Sequence, residues 1–339
     1  MNFSLRGGKL PLYVVILACL LTGIFTYAIS SQLKKQTNTN RQSNSSSPTF
    51  FQNRSTEYKY IQPVIFSETP KSIEKYDGLT KELNTIILRH KEKDPSASTS
   101  VYIRNLKDGS WTTINETEKF DAGSIFKLSI LIALMKKAEK KPGFLVEKTI
   151  YKGPNANLPV QTITSATLKK GNSYTVRELI KFMIVDSDND ANLLLYSFID
   201  AETILKVFTD LEMTAPDPNQ SSISMNCIEV SKFLRVLFNS GYTLPEFSEY
   251  SMELLSQSTF SMGMKKGIPH QATLVHKFGE RGYPNSTFQE LSETGIIYLN
   301  NERILLTIMT KGNNQQEQAE LISAITQKTC NWVENSKIN

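Results

Sequence analysis

A serine and a lysine three residues apart, Ser124 and Lys127, open the strongly apolar run Ile125–Met135. The run reads as a helix buried nearly all round. Residues three apart share a helical face, so hydroxyl and amine project to one side. A neutral lysine there can take the proton of an attacking serine. Burial and a second nearby cation both favour the neutral amine. Spacing alone does not establish this chemistry, because a second SxxK, Ser72-Ile73-Glu74-Lys75, lies in a charged helix.

Two further triplets supply what the first pair lacks. Ser187-Asp188-Asn189 follows a helix announced by the capping box Thr175-Val176-Arg177-Glu178, with Val176, Leu179, Ile180, Met183 and Ile184 on one face. That helix should stop at about Asp186. Lys277-Phe278-Gly279 lies on a late strand. The order SxxK, SDN, KxG matches the SxxK, SDN and KTG set of class A β-lactamases and penicillin-binding proteins.

On these residues the chain resembles class A β-lactamases and their serine-hydrolase relatives from about residue 72 to 335. Their local settings are similar too: Phe120-Asp121-Ala122-Gly123 before Ser124, Asp190-Ala191-Asn192-Leu193-Leu194 after Asn189, Val275-His276 before Lys277, and Glu293-Thr294-Gly295-Ile296-Ile297-Tyr298. The resemblance implies Ser124 as the acylated nucleophile and Lys127 as its base. It implies Ser187 as the hydroxyl passing a proton to the leaving nitrogen, and Asn189 as a clamp on Lys127 and the substrate amide. Lys277 would supply positive potential. The backbone N–H groups of Ser124 and Glu280 would form the oxyanion hole, with Gly279 and Arg281 contacting substrate.

Two positions depart from the family pattern. Phe278 stands where a hydroxyl residue usually binds the substrate carboxylate, and a phenyl ring cannot make that hydrogen bond. Recognition then shifts to Arg281, or the substrate differs, or the ring simply packs under the strand. The hydrolytic loop, whose Glu-Pro carboxylate activates the deacylating water, is shortened to Ala215-Pro216-Asp217-Pro218-Asn219-Gln220. Asp217 is either a compressed substitute or a turn residue between two prolines.

The elements that must position these groups are legible. A helix is expected over Ser72–Lys91, and strands Ser98–Arg104 and Trp111–Ile114 flank the hairpin signal Asn105-Leu106-Lys107-Asp108-Gly109. Helices fill the middle, one of them starting near Ala191. Strand-like runs follow at Ala272–Phe278, Gly295–Leu299 and Ile304–Thr310, the last two joined across Asn300-Asn301, before an amphipathic helix from Gln315 to about Thr329. The fold class is α/β of the α+β kind: a mainly antiparallel sheet from N- and C-terminal strands flanked by helices, plus a helical subdomain, the β-lactamase/transpeptidase-like arrangement.

Ahead of this unit, residues 1–9 form a short cytoplasmic head and Leu10–Ile29 an uncharged run long enough to span the hydrocarbon core. Arg6 and Lys9 precede the run; a signal anchor and a cleavable signal both fit, and the anchor is favoured. Residues 30–70 are rich in Ser, Asn, Gln and Thr and read as a disordered tether. The catalytic domain is expected over 71–335, outside the cytoplasm, as a monomer.

Composition excludes several classes. The chain has 339 residues and a net charge of +5, with its lysines scattered, so a nucleic-acid partner is not expected. Three histidines and three cysteines without CxxC spacing make no zinc site, and no metal or cofactor is expected. Pairing of Cys227 with Cys330 is left open. No GxSxG elbow is present, and His270 and His276 have no recognisable triad order. Three functions stand: a β-lactamase-like acyl-enzyme hydrolase with slow deacylation, a D-alanyl-D-alanine peptidase acting on cell-wall stem peptides, and an inactive tethered binding module.

Overall fold

The computed structural model describes residues 59–61, 73–155, 163, 166–217 and 222–335. The expected head, membrane run and most of the tether, together with Ser72 and Pro218-Asn219-Gln220, lie outside the described residues. Among the described residues no helix is long and apolar enough to cross a membrane.

Helix α1 (Ile73–Lys93) leads into β1 (Ser98–Asn105) and β2 (Trp111–Ile114), which pair antiparallel. The late strands are β7 (Thr273–Gly282), β8 (Gln289–Leu299) and β9 (Glu302–Gly312), followed by the C-terminal helix Gln315–Asn335. Early and late strands join in one antiparallel sheet of order β2-β1-β9-β8-β7. The β8–β9 connection is tight because Asn300 and Asn301 both take left-handed backbone, φ 49° and 63°, as a two-residue hairpin turn requires. β2 keeps its sequence-based limits, whereas the late strands run past theirs, since the ladder continues into less apolar residues.

Alternate residues of the central strands enter opposite cores. Leu305 and Met309 join one apolar cluster, and Leu306 and Ile308 the other. The second cluster is closed by α1 and the C-terminal helix. The first is filled by α2 (Lys127–Lys140), α3 (Val176–Val185), α4 (Asn189–Leu195), α5 (Ala201–Asp210), α6 (Cys227–Phe238) and α7 (Pro245–Ser256). Two short pairs were not anticipated: β3 (Phe120–Asp121) with β6 (Ser224–Met225), and β4 (Lys148–Ile150) with β5 (Ser173–Thr175). Strands of two or three residues leave no period to read. Cys227 and Cys330 are free and buried, and burial pushes both thiols up to about 12.

The tether reading needs one correction. Lys59-Tyr60-Ile61 is not a solvated linker: Tyr60 and Ile61 are buried, and the Glu249 carboxylate on α7 accepts three consecutive backbone N–H groups at 2.9–3.1 Å. Tyr298 donates its hydroxyl to Tyr60 O at 2.5 Å. The polar composition of 30–70 hides two apolar residues that carry no period of their own. A chain starting at residue 59 should therefore fold, and Ile61→Ala within it should cost about 2–5 kcal/mol, as for other buried isoleucine truncations. Thermal melts with coincident midpoints for the two proteins would show that the contact contributes nothing.

Candidate active site

Ser124 lies in the one-turn 3-10 helix Gly123–Phe126, and α2 begins at Lys127. The turn is held from both ends: Asp121 Oδ1 accepts Gly123 N–H at 2.9 Å, and Ala122 O accepts Ile125 N–H at 3.0 Å. It abuts β7, the edge strand of the sheet. A Cβ on Gly279 would meet Ala122 O at 2.4 Å and Ser124 N at 3.0 Å. A Cβ on Gly123, whose φ is +48°, would meet Glu280 O at 2.6 Å. Glycine is therefore required at both positions. Because a strand residue turns its C=O and N–H to the same side, Glu280 presents its N–H along the edge that faces Ser124.

Ser187 sits where two helices meet. The Thr175–Glu178 capping box starts α3 as its sequence predicts, and the helix ends at Val185 with Asp186 as its cap. Asp188 then caps α4, accepting Ala191 N–H at 2.6 Å. Between the caps Ser187 is fully buried and left-handed, φ 58°, a conformation costing a non-glycine residue on the order of 1–3 kcal/mol. The backbone is thereby bent so that Ser187 and Asn189 both face Lys127.

Lys127 is 3% exposed. Its amine donates to Ser187 O, and to Asn189 Oδ1 at 2.7 Å, with Ser187 Oγ at 3.5 Å. Lys277, fully buried, donates to Ser187 Oγ at 2.8 Å and to Phe278 O at 3.1 Å. Ser187 thus joins the two amines. Burial lowers the Lys127 pKa to about 7, against smaller opposing pulls from Asp188 and Glu280. Burial, and next the charge of Lys127, hold Lys277 well below the ordinary lysine range. Two buried amines sharing one hydroxyl cannot both stay charged cheaply. Lys277, expected to supply positive potential, lies across the Ser187 hydroxyl from Lys127. No hydrogen bond joins Lys127 Nζ to Ser124 Oγ among the described residues, a looseness common before substrate binds.

The remaining expected residues fall differently. Phe278 does not line the cleft: it is buried and stacked on Phe260, ring centroids 4.2 Å apart. Arg281, expected to receive a substrate carboxylate, already faces Asp121, Nε to Oδ2 3.4 Å. The Glu280 side chain accepts Ile163 N–H at 3.2 Å and Gln315 Nε2 at 2.9 Å. Asp217 is exposed on the segment after α5. His276 is buried against Glu293, Nδ1 to Oε1 2.5 Å, so it serves the β7–β8 pairing rather than a triad.

Sequence reasoning overlooked Asp188, whose position just before a helix signals an N-cap. It also overlooked Asp190, which accepts the Tyr151 hydroxyl at 2.9 Å. No sequence pattern announces that second contact. Among the described residues no group of three or more His, Cys, Asp and Glu side chains could hold a metal ion.

Comparison with known proteins bears on the fold and the family. A family profile described as "Beta-lactamase enzyme family" matches residues 78–333. Beta-lactamase VEB-1 of Pseudomonas aeruginosa is 21% identical over 279 residues, spanning 76% of this chain and 91% of that protein. Among solved structures, PBP-A superposes with a TM-score of 0.66 at 18% identity, covering 80% of this chain and all of its own. A PBP-A mutant solved as an acyl-enzyme complex with penicillin G superposes with a TM-score of 0.64 at 18% identity, covering 76% and 97%.

Proposed function

Because the chain belongs to the beta-lactamase enzyme family, we propose that it is a serine hydrolase that opens β-lactam or related D-alanyl amide bonds through a Ser124 acyl-enzyme. The observation that carries this reading is the buried Lys127 amine, its pKa brought down to about 7 by burial, and fixed by Ser187 and Asn189 at the head of the helix behind Ser124. A neutral amine has two N–H bonds. With both directed at Ser187 O and Asn189 Oδ1, its lone pair is left to take the Ser124 proton.

The Ser124 oxygen then bonds to the substrate carbonyl carbon, and the oxyanion is received by the N–H groups of Ser124 and Glu280. One such donor is typically worth on the order of a hundred- to thousandfold in rate. As the C–N bond breaks, Ser187 Oγ–H protonates the leaving nitrogen and is reprotonated from Lys277, 2.8 Å away. Water later cleaves the ester. Labelling of the protein by a fluorescent penicillin, lost in Ser124→Ala, tests the reading; an unlabelled wild type would point instead to an inactive binding module.

A second reading, a D-alanyl-D-alanine carboxypeptidase or cell-wall peptidase, is favoured by the exposed Asp217 and by the likeness of fold to PBP-A. Both enzymes would work outside the cytoplasm, and the uncharged run Leu10–Ile29 supports placing the domain there on an anchor, as a monomer. Protease added to intact cells should release the domain. Its survival until the cells are lysed would refute that placement.

A further inference from the structure

Resting on the serine-hydrolase reading, we propose that Asp121 and Arg281 form a positioning pair that holds the Ser124 turn against β7 and so sets the spacing of the two N–H groups meant for the oxyanion. The turn and the strand are distant in sequence, and among the described residues the sheet pairing of β7 is with β8. What joins them is Asp121. Its side chain is 7% exposed; one oxygen accepts Gly123 N–H at 2.9 Å and the other lies 3.4 Å from Arg281 Nε, one residue beyond Glu280. Its own N–H is fixed by Glu290 Oε2 at 2.8 Å, and Tyr283 donates to the other oxygen of Glu290 at 2.7 Å.

The contact leaves no slack, since a Cβ on either Gly123 or Gly279 would overlap the opposing backbone. A small change in this pairing therefore moves Ser124 N relative to Glu280 N. Neither Asp121 Oδ2 nor Arg281 Nε has a hydrogen-bond partner among the described residues, so what links them is a close ion pair at 3.4 Å. The Nε side of the Arg281 guanidinium is thus turned toward Asp121.

The test uses the full-length chain and a fluorescent penicillin. Asp121→Asn keeps an acceptor for Gly123 N–H but removes the ion pair; Arg281→Gln removes it from the other side. Each should lower the limiting acylation rate about tenfold with less than about a threefold change in half-saturating concentration, because misplacement affects the transition state more than binding. The double variant should be no slower than either single one, as groups acting through one contact are not additive. Asp121→Ala should also speed amide hydrogen exchange in residues 122–126, whereas Glu118→Gln, which alters the neighbouring Lys311 ion pair, should not. Additive losses, or wild-type acylation with unchanged exchange, would overturn the pairing. If wild type itself were not labelled, the hydrolase reading would fail, and the exchange measurement alone would decide whether the pair holds the turn.

Discussion

Lys127→Ala should lower the rate of acylation by benzylpenicillin about a thousandfold, within the range by which general-base help accelerates proton transfer. The expectation follows from burial. In water a lysine is protonated at neutral pH and cannot accept a proton, but here burial brings its pKa to about 7. The sign of the pH dependence is fixed by that direction: neutral amine accumulates as pH rises, so wild-type acylation should climb through pH 7 and level off about one unit higher. The alanine variant should lose this rise along with the rate. Ser72→Ala, at the other SxxK, should leave both unchanged. Stopped-flow acylation of the three proteins from pH 5.5 to 9 checks the set, and an alanine variant that kept the wild-type profile would remove Lys127 from the mechanism.

The second large effect concerns release. Hydrolysis of the ester needs a positioned water and a base, and losing that base is typically worth about a hundred- to ten-thousandfold. Asp217 is exposed on the short segment after α5, where it is open to bulk water. The bound-drug mass should therefore persist for minutes or longer, and Asp217→Asn should decay at the same rate as wild type. A large further slowing would make Asp217 a working substitute for the family's glutamate. Fast steady-state hydrolysis by both proteins would instead assign the step to another group, with Glu212 and Asp210 the nearest carboxylates in sequence.

Much of the fold was legible because its signals are local. The late strands are β-branched runs bounded by turn residues, and the Thr175 capping box marks the start of α3 in four residues. Ser187 and Asn189 were legible for the same reason, since the turn that aims them lies between two caps. The rest depends on pairs distant in sequence. Tyr60 and Ile61 find Glu249 and Tyr298 far along the chain, and no composition window contains both partners. The contact of Arg281 with Asp121 carries no local signal, because Asp121 comes from a two-residue strand. The Phe278 ring was left between cleft and core, and only the stack on Phe260 decides for the core.

Intact mass after incubation with benzylpenicillin, followed by peptide mapping, tests the central claim most directly. Acylation at Ser124 predicts a gain of one drug mass, located on the peptide containing residues 120–127 and absent from Ser124→Ala. An unmodified wild-type protein, or an adduct retained by Ser124→Ala, would contradict it.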